Sequence, residues 1–209
     1  MRELKGLQEY IGERSCCSCL RSEDLTIVDV STVHPHMLEG GWHFVKPENA
    51  SKSPAPPAEH SFDTFPAATA DKLHGSAYLR DLYFRAEPDY NARFTVPVLW
   101  DTQNNTIVNN ESSEVIRDLN SSFNSILPDG AGKELDLYPK ELRKEIDKLN
   151  EWVYNDINNG VYKSGFATSQ EAYEKAVIPV FDSLDRLEEI LGDGREYLIG
   201  GRLTEADVR

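Results

Sequence analysis

The chain has 209 residues, of which 39% are hydrophobic and 28% charged, and a formal net charge of −14. Such an acidic balance repels phosphate backbones and anionic bilayers, which argues against nucleic acid or a membrane as partner. No apolar run reaches the length of a membrane span, the N-terminus has no signal-peptide core, and three cysteines crowded at 16, 17 and 19 form no disulfide framework, so a reducing, cytoplasmic setting is expected.

Met1–Leu7 reads as the last turns of a helix, with a basic residue followed by a glycine C-cap signal. Cys16, Cys17 and Cys19 follow. A zinc site takes four ligands, usually as spaced pairs. Thiols at this cramped spacing, with no partner pair elsewhere, read as a surface loop, and no metal is expected. Leu25–Val30 is a clear strand. His34 and His36 flank Pro35 with no carboxylate pattern nearby, which reads as a loop pair rather than as ligands. Gly40-Gly41-Trp42 comes next, and Trp42 suits core filler. The Pro-, Ala- and Ser-rich stretch 47–66, inside a longer loop 46–74, buries little surface and is expected to be flexible. Leu79, Leu82 and Tyr83 then share one stripe of a helix over 76–85.

Arg93–Asn120 carries the densest signal. Thr95–Trp100 is a β-rich apolar run, Asp101–Asn105 a polar turn, and Thr106–Val108 a second short strand, together a hairpin. Pro97 removes a ladder donor, so it belongs at an edge, a bulge or a strand start. A cis Val96–Pro97 bond is one solution, leaving the Val96 backbone groups free to pair with an added extended peptide. Asn110 precedes Glu111-Ser112-Ser113-Glu114, a helix start with acids in its first turn, followed by Val115, Ile116 and Leu119 at helical spacing. Backbone N–H groups at such a start suit an anion. A peptide-binding edge beside an anion site fits a small peptide with charged ends, and glutathione is such a ligand. An ordinary hairpin with a rim proline accounts for the same spacing.

Asn120–Leu137 reads as a polar linker, dividing the chain into domains 1–121 and 122–209. Pro139 stands at the favoured first position of a helix striped by Leu142, Ile146, Leu149, Val153 and Ile157, which Gly160 is expected to stop. A capping box, Thr168-Ser169-Gln170-Glu171, opens a second long helix through Leu191. Its stripe is Ala172, Ala176, Val177, Val180, Leu184, Leu187 and Ile190, with a kink expected at Pro179. Thr204-Glu205-Ala206-Asp207 announces a third helix. Antiparallel helices joined by loops imply an all-helical bundle. Both ends of the chain cut through expected helices, so a piece of a longer protein is expected.

V-P-V-L-W-D at 96–101 followed by I-V-N-N-E-S-S-E-V-I-R at 107–117 closely resembles the glutathionyl-hydroquinone reductases, the Xi class of glutathione transferases and relatives of the Omega class. The likeness recurs in R-E-L-K-G-L at 2–7, H-P-H-M-L-E-G-G-W-H-F at 34–44, V-Y-N-D-I-N-N-G-V-Y-K-S-G-F-A at 153–167 and L-T-E-A-D-V-R at 203–209. The resemblance implies an α/β plus all-α fold. A thioredoxin-like N-terminal domain, here lacking its first strand and the start of its first helix, precedes an incomplete transferase-type helical bundle. Without that strand, Leu25–Val30 is expected to lack a neighbour and the N-terminal half to fold poorly.

The implied chemistry is thiol transfer. A cysteine thiolate at a helix N-terminus attacks the sulfur of a glutathionylated hydroquinone, forming a mixed disulfide that a second glutathione resolves. Positions matching the family's glutathione contacts are Trp42, Arg93, Val96, Glu111 and Ser112. By resemblance, Val96 pairs with the cysteinyl backbone and Glu111 holds the γ-glutamyl ammonium. Ser112 holds the adjacent carboxylate, Arg93 neutralises the glycyl carboxylate, and Trp42 forms an apolar wall. Of Tyr154 and Tyr162 one is implied to face the quinol ring, with Tyr162, expected just past a helix end, the better candidate; a core or interface role suits each equally. Glutathione as co-substrate, quinone-type small molecules and a homodimer are implied as partners. The Cys-Pro-Trp motif that carries the family's nucleophile does not occur in this sequence, and Cys16, Cys17 and Cys19 match no family cysteine. Reductase activity is therefore not expected of these residues, and a non-catalytic glutathione-binding or assembly module is the alternative.

Overall fold

The computed structural model of the chain describes residues 7–11, 28–46, 68–125 and 135–209. The expectations for residues 1–6, for the three cysteines, for 25–27 and for the Pro-rich stretch 47–66 lie outside them. The chain divides into two compact units, Met1–Gly132 and Lys133–Arg209, and the division falls within the stretch 120–137.

The first unit carries a four-stranded sheet among the described residues, in the order β2-β1-β3-β4: β1 Leu7–Ile11, β2 Val28–Thr32, β3 Val98–Asp101 and β4 Thr106–Asn109. β1 runs parallel to β2, from Leu7 opposite Val28 to Ile11 opposite Thr32. It runs antiparallel to β3, from Leu7 opposite Asp101 to Tyr10 opposite Val98. Here the expectation that the Leu25–Val30 strand lacks a neighbour is corrected. The position between β2 and the β3–β4 hairpin is filled, by a segment that begins where a helix tail was expected. The ladder edges of β2 and β3 would otherwise present unpaired N–H and C=O groups, and L-Q-E-Y-I is an acceptable strand sequence. Residues 28–30, the described part of the expected Leu25–Val30 strand, lie in β2.

Pro97 immediately precedes β3, so the missing N–H removes nothing from the ladder. Between β3 and β4 the Asp101 side chain accepts the backbone N–H groups of Gln103 (2.7 Å) and Asn104 (3.0 Å), which closes the turn. Helix α1, Leu79–Ala86, seats Leu79, Leu82 and Tyr83 against Val33, Phe44, Val98 and Trp100 to form the core of this unit. Each such burial contributes about 1.5–3 kcal/mol. Helix α2, Ser112–Ser121, packs inward through Val115 and Ile116. Ahead of α1, the Asp71 carboxylate collects the N–H groups of Leu73, His74 and Ser76, so the end of the long loop is a tight hydrogen-bonded turn.

In the second unit α3, Arg143–Trp152, starts four residues beyond Pro139. Leu142 N–H donates to the Pro139 carbonyl at 2.9 Å, a single tight turn that stands where the first helical turn was expected. The helical run does not stop at Gly160. It continues through a π-helical turn, Val153–Asn158, into α4, Asn159–Gly165. Gly160 is buried, and a Cβ there would stand 2.6 Å from Val180 Cγ2 on α5, Gln170–Leu191. The glycine permits close helix–helix approach, which overrides its use as a stop. The N-cap of α5 is Ser169, one residue after the expected Thr168, with Ala172 N–H donating to its Oγ at 3.2 Å. The helix runs through Pro179. Its expected stripe is only partly covered: Val180 is buried, whereas Ala172 and Leu184 are exposed. Helix α6, Glu205–Val208, is held at its start by Asp207, whose carboxylate accepts the N–H groups of Thr204 and Leu198, each at 2.8 Å.

Candidate functional site

Two stretches that converge in the first unit supply the candidate site. The first is the segment entering β3. Tyr90, Phe94 and Tyr83 form an aromatic cluster, with ring centroids 4.8 Å apart for Tyr83–Tyr90 and 5.5 Å for Tyr83–Phe94. It fixes the chain that leads to Val96. The Val96–Pro97 peptide is cis. Val96 rests its half-buried side chain on the core, and its backbone N–H and C=O bond to no described residue. Three residues earlier Arg93 is exposed, and its guanidinium likewise bonds to no described residue. Its carbonyl accepts the Tyr90 hydroxyl at 2.9 Å, which fixes the backbone beneath it.

The second stretch is the start of α2. Asn109 Oδ1 accepts the Glu111 N–H at 2.9 Å, and Asn109 Nδ2 reaches Glu114 (3.0 Å) and Asp118 (3.2 Å). That asparagine sets the angle at which β4 turns into the helix. Glu111 is the N-cap residue and its exposed carboxylate accepts the Ser113 hydroxyl at 3.4 Å. The Glu111 carbonyl takes the N–H groups of Glu114 and Val115, leaving those of Ser112 and Ser113 with no bond to a described residue. Free amides at the positive end of a helix favour an anion.

One cluster joins the two stretches. Asn110 Nδ2 donates to Thr95 Oγ1 at 3.3 Å and to the Tyr83 hydroxyl at 3.1 Å, and that hydroxyl donates to the Thr95 carbonyl at 2.8 Å. The residue before Val96 therefore touches the residue before Glu111. Trp42 packs half-buried on the same core cluster, and its carbonyl accepts the Leu79 N–H at 2.9 Å. Val96, Glu111 and Ser112 are thus brought to one side of the unit, Arg93 stands on the same segment, and Trp42 reaches the shared core from the loop after β2.

Tyr154 and Tyr162 belong to the second unit. Tyr154 lies in the π-helical turn with the Arg209 guanidinium 5.9 Å from its ring centroid, and is 42% exposed. Tyr162 lies within α4 rather than past a helix end, and is 64% exposed.

His34 and His43 stack with centroids 4.7 Å apart, and His34 Nδ1 accepts the His36 N–H at 3.1 Å, so the histidines shape the turn that presents Trp42. Among the described residues no group of His, Cys, Asp and Glu side chains is arranged to hold a metal ion, and no helix is long and apolar enough to cross a membrane.

Tyr83, Thr95, Asn109, Asn110 and Ser113 were not read from sequence as site residues. The Asn109-Asn110 pair ahead of a helix was a readable sign, because asparagine side chains there bond nearby backbone. The Tyr83 partners, 12 and 27 residues away, were not.

Residues 170–209 match the family described as glutathione S-transferase, C-terminal domain. The whole chain is 47% identical to the glutathionyl-hydroquinone reductase YqjG of Escherichia coli, covering 52% of that protein. The chain spans about half the length of the curated relatives it matches most fully. Glutathione transferase Xi 1 from Trametes versicolor is 48% identical, with a TM-score of 0.81 over 97% of this chain and 66% of that one. The Xi glutathione transferase ECM4 from Saccharomyces cerevisiae, solved in complex with glutathione, is 38% identical, with a TM-score of 0.84 over 97% of this chain and 70% of that one. The sheet and the helical second unit are accordingly the thioredoxin-like and helical parts of a glutathione-transferase fold, and the chain belongs to the Xi class of glutathione transferases.

Proposed function

We propose that this chain binds glutathione in the first unit, as the binding half of a glutathione-dependent thiol transferase resembling the glutathionyl-hydroquinone reductases. The observation that carries the reading is the Thr95–Asn110 contact, which sets an unpaired backbone ledge at Val96 beside the free amides that open α2. Val96 N–H and C=O pair with the cysteinyl backbone of the tripeptide, in the manner of an added strand. The Glu111 carboxylate receives the γ-glutamyl ammonium, and the Ser112 amide and hydroxyl take the neighbouring carboxylate. Arg93 pairs with the glycyl carboxylate, and Trp42 closes the apolar side.

The substrates are quinone-type molecules, which Tyr154 and Tyr162 contact. Such a protein works in the cytoplasm and as a homodimer. Thiol transfer needs a nucleophile, and we assign none to Cys16, Cys17 or Cys19, since they match no cysteine of the family motif. Within these 209 residues glutathione is therefore held but not turned over.

The experiment is a thermal melt with glutathione and with cysteinylglycine, which lacks the γ-glutamyl group. Glutathione raises the melting temperature and the dipeptide does not; equal effects from both, or none from either, contradict the proposal. An assay with a glutathionyl-hydroquinone then gives no product above background, and measurable turnover overturns the assignment of no nucleophile.

A further inference from the structure

Tyr83 is 2% exposed, and its ring is wedged between Tyr90 and Phe94 in the aromatic cluster. A hydroxyl buried this deeply is costly unless it is satisfied, and here it is satisfied several times over. It donates to the Thr95 carbonyl at 2.8 Å, and it accepts the Thr95 N–H at 3.3 Å and Asn110 Nδ2 at 3.1 Å. Thr95 leads directly into the Val96 ledge, and Asn110 leads directly into the Glu111 helix start. Among the described residues no other side chain bonds to both Thr95 and Asn110.

We propose that the Tyr83 hydroxyl is the positioning group of the glutathione site. It touches no ligand, but it fixes the separation between the Val96 ledge and the start of α2, and so sets the length of peptide the site accepts. This rests on the reading given under Proposed function. A tripeptide bound along the ledge with its ammonium on Glu111 must span both elements, so its affinity depends on their spacing as well as on the contacts. With the hydroxyl removed, Asn110 retains only its bond to Thr95 Oγ1, at 3.3 Å, and the Thr95 N–H and carbonyl lose their partner. Beyond the β3–β4 ladder, the two elements are then joined by one side-chain contact.

The test is a double-mutant cycle on glutathione binding, measured calorimetrically well below the melting temperature with wild type, Tyr83→Phe, Glu111→Ala and the double variant. Tyr83→Phe keeps the ring contacts and removes only the hydroxyl. It is expected to weaken glutathione about tenfold. In the Glu111→Ala background the ammonium contact is gone and the spacing matters less, so the same change is expected to cost less than about threefold. A merely structural role gives equal losses in both backgrounds and overturns the inference, as does unchanged affinity in Tyr83→Phe. If Tyr83→Phe does not fold, Asn110→Ala, which breaks the same link from the other side, decides by the same cycle. A wild-type chain that does not bind glutathione overturns the site reading and this inference with it. Binding by wild type with no selective loss in the variants overturns this inference alone.

Discussion

Glu111 and Ser112 contribute differently to the same end of α2, and the difference is measurable. The Glu111 carboxylate is exposed and weakly held by Ser113, so its value lies in the charge it offers a ligand. Glu111→Ala is expected to weaken glutathione by about tenfold or more, because a charge-assisted contact is lost. Ser112→Ala keeps the free amide and removes only a hydroxyl, so a loss of about threefold or less is expected from the same titration. His74 is a residue-scale matter of stability. Burial, and then the nearby positive charge of Arg85, lower its pKa, with Asp71 opposing. The folded state therefore favours neutral imidazole and binds fewer protons than the unfolded chain. Stability on this account is fully present above the unfolded value of about 6.5 and is lost as pH falls through the lowered folded value. Melts of wild type and His74→Gln between about pH 5 and about pH 7.5 should show wild type losing more stability toward acid; parallel curves would contradict the assignment.

At the scale of elements, Gly160 shows why a local signal and a packed structure diverge. A glycine after an amphipathic run reads as a stop, yet Val180 Cγ2 on α5 stands 2.6 Å from where its Cβ would be, and only a neighbour 20 residues away reveals that. Gly160→Ala gains about 1 kcal/mol in helix propensity and loses about 1–3 kcal/mol to overpacking, so denaturant melts should register a net loss. In a Val180→Ala background the loss should turn into a gain. The α6 start was legible for the opposite reason, since its cap lies within four residues of sequence. Asp207 accepts the N–H groups of Leu198 and Thr204 and the Thr204 hydroxyl at 3.0 Å. Asp207→Ala should cost about 2 kcal/mol in the same melts, a lost cap together with donors left unsatisfied. The hairpin, α1 and α2 were legible likewise, from turn residues, a three-and-four apolar spacing and an acidic first turn.

For the molecule as a whole, sequence carried the family further than it carried the packing. The Val96-Pro97 and Glu111-Ser112 motifs lie in short stretches and could be matched directly. The link between the two stretches runs through Tyr83, Thr95 and Asn110, contacts that no local pattern encodes. The strand at Leu7–Ile11 was missed because its only argument is the pair of ladder edges on either side of it. The covered part of the α5 stripe was overestimated because periodicity shows which side is apolar and not what lies against it.

The claim on which the functional reading rests is that a tripeptide lies between Val96 and the first amides of α2, and amide NMR spectra of the labelled chain titrated with glutathione test it most directly. The largest shifts are predicted at Val96, Ser112 and Ser113, and cysteinylglycine should leave the two serine amides where they were. Glutathione that shifts none of these three amides, or that shifts only residues elsewhere in the chain, would contradict it.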